Sequence, residues 1–436
     1  MKVLFAVSAW AGHYSCMVPL GWALQAAGHE VRVAVAPCAA DGIARSGLTA
    51  VPVLDTLDLN VMRRMAYFQE AVDGQWTLPG LPPHPLTGEP VRSLDDFDIA
   101  AEGPAYWAEC AAAIARSYDG AVGYARSWRP DLVVFDLMSA EGALAARLLG
   151  VPSVYFPFGL IGTVETEPGV DLGDGDPSGS WPRYGQPAFS GEQIEYVIDV
   201  SPQAAAPPVG NALRMPLRYV PYNGPAHIPD WLRSPGPGKR VCILWGNSAT
   251  GGFGTGLPVL RHAVDAAAGM AQTVFLAANT AQVEALDGLP DNVRVLRNFP
   301  LHLLLALSDL VIHHGSANPA MNAAAVGTPQ LSLALNDEQR TVSGRMAATG
   351  ASRVLPGLAA GAGEVRDAVR TLLQEDSYRR AAQRVAAEIA ARPTPAQLVP
   401  ALEQLARTGR LGQRELDRLT AAGDLPAGRS AAPAPR

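Results

Sequence analysis

Residues 2–8, KVLFAVS, form an unbroken apolar run. A run of that kind reads as a strand buried on both faces. The segment MVPLGWALQAAGHE (17–30) has helical character, with Pro19 where only a first turn tolerates it and Gly28 as the stop. VRVAVAP (31–37) reads as a second strand. Strand, helix and strand in that order call for a parallel α/β sheet with right-handed crossovers. Ligands bind beyond the carboxyl ends of such strands, so the residues just past each strand are the candidates for chemistry.

The rhythm continues. AYWAECAAAIARSYDGAVGYARSW (105–128) reads as helix, DLVVFD (131–136) as strand, SAEGALAARLLG (139–150) as helix and VPSVYF (151–156) as strand. Residues 52–100 and 160–210 are rich in Pro and Gly and read as irregular, the first with Tyr67, Phe68 and Trp76 as the aromatic surface of a binding loop. Proline clusters mark RYVPYNGPAHIPDWLRSPGPGK (218–239) as a linker. A second α/β unit starts at RVCILWG (240–246), with further strands at 271–278, 293–299, 310–314 and 328–334 and a last helical stretch over 376–408. The expected fold class is therefore α/β, with two Rossmann-like domains facing across a cleft. The divisions are 1–217, the linker 218–239, 240–375, C-terminal helices 376–410 that cross back to the first domain, and a low-complexity, partly disordered tail 411–436.

With 436 residues, 48% of them hydrophobic and 17% charged, the chain has enough to bury two cores. The net charge of −7 and the lack of a basic stripe interleaved with aromatics argue against nucleic acid as a partner. Cys16, Cys38, Cys110 and Cys242 are far apart and form no CxxC, so neither a zinc knuckle nor a disulfide framework is encoded, and a reduced, cytoplasmic location is expected. MKVLFAVSAWAGHYS reads as a first strand rather than a secretion signal, and no apolar run reaches membrane-spanning length.

Two residues at strand ends suit acid–base work. His13 lies just past strand 2–8, where an imidazole titrating near neutrality can take a proton from a hydroxyl, or can simply cap a helix start. Asp136 ends strand 131–136, where a carboxylate is suited either to fixing an imidazole tautomer or to capping. WGNSATGGFGTG (245–256) is a glycine-rich loop whose backbone can approach phosphate, without the lysine that closes a Walker loop. LVIHHGSANPAMNAAAVGTPQL (310–331) reads as strand, loop and helix, with a helix N-terminus and His314 suited to a pyrophosphate. Adjacent histidines point to opposite faces of a strand, so no metal is assigned to His313 and His314. NDEQ (336–339) offers groups for sugar hydroxyls, or is a solvated loop.

The order of these pieces resembles the family-one glycosyltransferases of GT-B fold, and most of all the actinobacterial enzymes that attach deoxysugars to polyketide antibiotics. The resemblance covers roughly 1–410 and is carried by VPLGWALQAAGHEV (18–31), RYVPYNGPAHIPDWL (218–232) and FPLHLLLALSDLVIHHGSANPAMNAAAVGTPQL (299–331). It implies metal-independent, inverting transfer of a sugar from a dTDP- or UDP-sugar to a hydroxylated aglycone, with O-transfer favoured over C-transfer. The nucleotide sugar is a co-substrate, and no cofactor or metal is required. The implied roles are His13 as base and Asp136 as its partner. Donor contacts are implied for Gly246, Ser248, His314, Gly315, Ser316, Asn318, Glu338 and Gln339, and Asn298 stands where the family's base-stacking Trp usually lies, beside Phe299. The first domain would take the acceptor, with Trp10 and the aromatic loops offering apolar surface, and the second the nucleotide sugar. A homodimer and an auxiliary activator protein are left open as partners.

The sequence departs from the family pattern at Pro319, which replaces a Thr or Ser that helps hold phosphate, and at Asn298. Proline supplies neither hydroxyl nor N–H, although it suits a first helical turn. These departures motivate a second reading, a non-catalytic or accessory homologue with weakened donor binding. A sugar-nucleotide epimerase on the same scaffold is a third.

Overall fold

The structure is a computed structural model and describes residues 1–170, 176–233, 236–297, 299–412 and 414. Asn298 and the tail from 415 onward lie outside the described residues. The first sheet contains β1 (Lys2–Ala6), β2 (Glu30–Val35), β3 (Thr49–Pro52), β4 (Leu132–Phe135), β5 (Ser153–Tyr155), β6 (Tyr196–Asp199) and β7 (Leu213–Pro216). The second contains β8 (Arg240–Leu244), β9 (Thr273–Ala277), β10 (Val293–Leu296), β11 (Leu310–His313), β12 (Gln330–Ala334) and β13 (Ser352–Pro356). Their orders are β3-β2-β1-β4-β5-β6-β7 and β10-β9-β8-β11-β12-β13, and every pairing is parallel. The fold class read from the sequence is the one observed.

Each sheet reverses its order once, between β1 and β4 in the first and between β8 and β11 in the second. Such a reversal opens a crevice at the carboxyl ends of the two central strands, because the crossovers leave them in opposite directions. Both crevices contribute to one cleft between the domains.

Several elements differ from the sequence reading. Residues 52–100 are not wholly irregular, because helix Leu59–Val72 lies within them. Met65 and Phe68 on its face are fully buried, and Asp58 caps it by accepting from the Asn60 and Val61 amides. Its amphipathic spacing was obscured by the Pro- and Gly-rich residues that follow. The glycine-rich 245–256 segment is not a loop throughout but contains helix Asn247–Phe253. Strands β6 and β7 lie at and beyond the end of the 160–210 segment read as irregular, and helix Asp230–Arg233 within the linker. Leu411, placed in the tail, is buried and donates its amide to the Tyr196 hydroxyl.

The last helices, Asp376–Ala391 and Pro395–Thr408, follow the second sheet, and the final one returns to the first domain. Leu398, Leu402 and Leu405 belong to the same apolar core as β1, β2 and β4, and Glu403 accepts a hydrogen bond from His29 at 2.8 Å. That core also takes in Ala317, Met321, Val342 and Met346 of the second domain, so apolar packing is continuous between the halves. A buried ion pair adds to it: Arg345 in helix Asp337–Ala348 reaches Glu165 of the first domain at 2.6 Å.

Helix Ala140–Leu149 holds the end of the first sheet in place. A Cβ on Gly142 would stand 2.6 Å from the Ala6 Cβ and 3.1 Å from the Phe135 Cβ, so the helix backbone rests directly on β1 and β4. Gly142→Val is expected to lower the unfolding free energy by about 1–3 kcal/mol, the usual cost of overpacking. Urea denaturation measures it, and an unchanged midpoint would mean that the helix does not sit this close to the sheet.

Candidate functional site

The cleft has a volume of about 930 Å³ and is lined from both domains. That is ample for a small-molecule ligand with a few convergent polar groups. On the first-domain side β1 ends at Ala6 and β4 at Phe135, adjacent in the sheet, so Ser8 and Asp136 emerge side by side. Asp136 is 1% exposed. Its Oδ2 accepts from the Ser8 amide at 2.8 Å and the Ser8 hydroxyl at 2.9 Å, and its Oδ1 accepts from the Met138 amide at 2.9 Å.

His13 sits in a short helix, Ala11–Tyr14, at the start of the crossover. Its Nδ1 is 3.0 Å from the Ser8 Oγ and 3.9 Å from Asp136 Oδ2. The carboxylate can only accept, so the single Ser8 hydroxyl proton points at Asp136. The Ser8 oxygen then accepts from His13 Nδ1–H. This fixes the tautomer that leaves the Nε2 lone pair free. The imidazole stacks on Phe158 at a centroid distance of 4.3 Å, with Trp10 beyond it at 6.1 Å. Burial lowers the His13 pKa, the Asp136 charge raises it, and Arg63 lowers it, with a net downward shift from 6.5. His13 is therefore neutral at neutral pH, the state a base needs. Sequence reasoning paired His13 with Asp136 directly and missed Ser8, which bridges them.

On the second-domain side, β11 ends in the two histidines, and they do face opposite ways. His313 is fully buried and satisfied: its Nε2 meets Gln330 at 3.1 Å, and its Nδ1 accepts from the Gly315 amide at 3.0 Å. Burial pushes its pKa down to about 4. His314 lines the cleft, with Nε2 3.1 Å from the Ser248 Oγ and Nδ1 buried without a partner. Burial, reinforced by His313, pushes its pKa down to about 3, so it is neutral. Gly246 makes room for it, since a Cβ there would stand 2.9 Å from the His314 Cε1. Ser316 precedes helix Ala317–Val326 without capping it through its side chain, and the helix N-terminus lines the cleft with Ala317, Asn318 and Pro319. Asn318 also donates to the Gly12 carbonyl at 3.2 Å, tying this helix to the His13 turn.

Glu338 and Gln339, in the first turn of helix Asp337–Ala348, line the cleft as well. The Gln339 Oε1 is held by the Leu335 amide at 2.9 Å. Burial raises the Glu338 pKa and Arg63 opposes that.

Tyr67, Phe68, Trp76, Phe299 and Gly315, also expected at the site, do not line the cleft. Phe68 is fully buried against Phe97 in a separate small core, because it faces inward on helix Leu59–Val72. Tyr67 is half-buried and does not line the cleft: its hydroxyl accepts from Asn336 at 3.0 Å, and its ring packs against Trp76 and Phe253. Trp76 is therefore spent on Tyr67 rather than lining the cleft. Phe299 packs on Trp231, and Leu301 lines the cleft instead. Gly315 serves the turn, with φ +93, a region that favours glycine. Apolar lining comes from Trp10, Leu57, Met138, Phe158, Ile161 and Val170. Among the described residues no three His, Cys, Asp or Glu side chains gather as a metal site, and no helix is long and apolar enough to cross a membrane.

With this geometry in hand, known proteins give a consistent match. The model of the erythromycin biosynthesis protein CIII-like N-terminal domain matches residues 22–73 and 114–246, and that of its C-terminal domain matches 261–405. The chain is 35% identical to TDP-daunosamine transferase DnrS of Streptomyces peucetius over 430 residues, covering 93% of this chain and 97% of that protein. It is 33% identical to aklavinone 7-beta-L-rhodosaminyltransferase of Streptomyces galilaeus, covering 93% and 96%. Glycosyltransferase VinC, solved in complex with dTDP, superposes with a TM-score of 0.68 at 30% identity, covering 93% of this chain and all of that one (100%). The chain belongs to the erythromycin biosynthesis protein CIII-like family, and it is a GT-B glycosyltransferase of the actinobacterial antibiotic type.

Proposed function

We propose that this enzyme transfers a deoxysugar from a TDP-linked donor to a hydroxyl of a polyketide-type aglycone, with inversion and in a single displacement. The observation that carries the reading is the pairing, across one cleft, of a neutral His13 with a free Nε2 and an uncapped helix N-terminus beside His314. In this reading the aglycone oxygen attacks the anomeric carbon while His13 Nε2 takes its proton. The bond from that carbon to the diphosphate oxygen breaks, and the diphosphate leaves with the electron pair. Attack from the side opposite the leaving group inverts the centre. Asp136, through Ser8, stabilises the imidazolium that forms. The amides of Ala317 and Asn318, with Ser248 and His314, are suited to the growing negative charge. Metal-independence is part of the proposal, because these fixed donors meet the charge themselves.

The donor nucleotide is inferred from the relatives, one named for a TDP-sugar and one solved with dTDP. The apolar wall around Phe158 and Trp10 fits a bulky, flat or macrocyclic acceptor. Glu338 and Gln339 line the same cleft, and in this reading they hold sugar hydroxyls.

Calorimetric titration tests the donor half. TDP is expected to bind, and His314→Ala to weaken that binding at least tenfold. Folded protein that binds neither TDP nor UDP would overturn the enzyme reading in favour of an accessory role.

Turnover, read as TDP released from a TDP-deoxysugar with polyketide aglycones, tests the base. His13→Ala is expected to lower kcat by about 10²–10⁴-fold, the usual range for a lost general base. Ser8→Ala is expected to cost about tenfold, since one oriented hydrogen bond is lost.

The pH profile has a definite sign. His13 must be neutral, and its pKa lies below 6.5, so kcat/KM is expected to be flat at neutrality and to fall only as pH drops below 6.5. Asp136→Asn removes the charge that raises this pKa, so its acid limb moves to still lower pH. A limb centred above 6.5 contradicts the assignment.

A further inference from the structure

Two arginines adjoin on helix Leu59–Val72, and they are used differently. Arg64 is buried and fully engaged with backbone carbonyls, giving Nε to Pro85, Nη2 to Leu86 and Nη1 to Gly251. Arg63 has no hydrogen-bond or ion-pair partner among the described residues. Its stem runs along Gly252 of helix Asn247–Phe253, where a Cβ would stand 3.2 Å from the Arg63 Cδ. Its guanidinium lies 5.3 Å from the centre of the Trp10 ring, which in turn stacks toward His13. The missing side chain at Gly252 is what lets the arginine pass between the two domains into the cleft.

Arg63 is the sole Lys or Arg among the described residues lining that cleft. Two acidic residues line it, Asp58 and Glu338. Asp58 is committed to capping its own helix, and Glu338 makes no ion pair with Arg63. Burial is the largest influence on the protonation of His13, His314 and Glu338, and the Arg63 charge acts on all three. The cation thus lines the same cleft as the base and the N-terminus of helix Ala317–Val326. A half-enclosed guanidinium without a counter-ion is costly, and an anionic ligand offsets that cost. Pro319 sharpens the need, because it removes one amide from the first turn of helix Ala317–Val326, where a phosphate would be gripped.

We propose that Arg63 contacts the diphosphate of the bound nucleotide sugar, so that the first domain supplies positive charge to a leaving group otherwise held by the second. The inference rests on the cleft being the nucleotide-sugar site. Guanidinium presents paired donors suited to phosphate oxygens. Charge on the diphosphate grows as its bond to the sugar breaks, so the contact strengthens in the transition state and acts on kcat as well as on binding. The arrangement also makes a closed cleft a condition for full donor affinity, because the cation and the helix N-terminus belong to different domains.

Calorimetric titration of TDP and of uncharged thymidine into wild type, Arg63→Gln, Arg63→Lys and His314→Ala separates the cases. Gln keeps the stem that packs on Gly252, and thermal melting checks that each variant is folded. Arg63→Gln is expected to weaken TDP about 10- to 100-fold, as for a lost charged hydrogen bond, with thymidine unaffected and Arg63→Lys intermediate. TDP binding unchanged in Arg63→Gln but lost in His314→Ala overturns the Arg63 assignment alone. An equal loss for thymidine and TDP also overturns it, since it shows a packing role. TDP binding unchanged in both variants overturns the reading of the donor site itself. Should Arg63→Gln fail to fold, Arg63→Lys decides: TDP weakened with thymidine unaffected supports the contact, and wild-type TDP affinity with a weakened aglycone contradicts it.

Discussion

The first-domain side of the site depends on one buried carboxylate. Asp136 is removed from water at the end of β4, and three donors from adjacent chain segments hold it there. A charge in that position is tolerated only because each oxygen is hydrogen-bonded. The consequence is chemical. Since the carboxylate takes the Ser8 hydroxyl proton, the hydroxyl must accept from His13, and the imidazole is left with one available lone pair facing the cleft. Parallel pairing of β1 with β4 is what brings these residues to the same level. The tight seat of Gly142 on Ala6 and Phe135 keeps it so.

The second domain solves a different problem with the same topology. Its order reversal between β8 and β11 sets Gly246–Ser248 beside His314 and a helix N-terminus. There the two histidines are neutral, because burial disfavours their charged form. In the proposed mechanism fixed dipoles and N–H groups meet the diphosphate there, and Arg63 on the other side of the cleft adds positive charge. The domains are tied close to the site by Asn318 to Gly12, Asn336 to Tyr67 and Arg64 to Gly251. Farther off, Glu165 to Arg345 binds them again. The two sides of the cleft are thus coupled through the same few helices that line it.

Much of this was legible in the sequence. Strands β1, β2, β4, β8 and β11 are buried on both faces, and their continuous apolar runs announce them. The residues just past those strands, His13, Asp136 and His314, are expected at the cleft for the same reason, and the structure places His13 and His314 in its lining with Asp136 beside His13. Short edge strands such as β3 and β13 carry weak patterns of four and five residues, and they passed unseen. Helix Leu59–Val72 was hidden by the proline- and glycine-rich chain after it, and with it the roles of Tyr67, Phe68 and Arg63. Helical spacing of Val61, Met65 and Phe68 was the available signal that Phe68 faces a core. Ser8 was missed because a hydroxyl bridging two strand ends is a three-dimensional fact. Its position as the first polar residue after β1, next to the strand that supplies Asp136, was the only hint.

Nitrogen NMR of the protein labelled at histidine addresses the central claim, that Asp136 acting through Ser8 leaves His13 Nε2 as the base. The chain has eight histidines, and loss of one signal in His13→Gln assigns the ring of interest. At neutral pH the His13 Nδ1 is predicted to carry the proton and Nε2 to be bare, with the two tautomers mixing in Ser8→Ala. A proton resident on Nε2 in the wild-type protein, or a charged ring at pH 7, would contradict it.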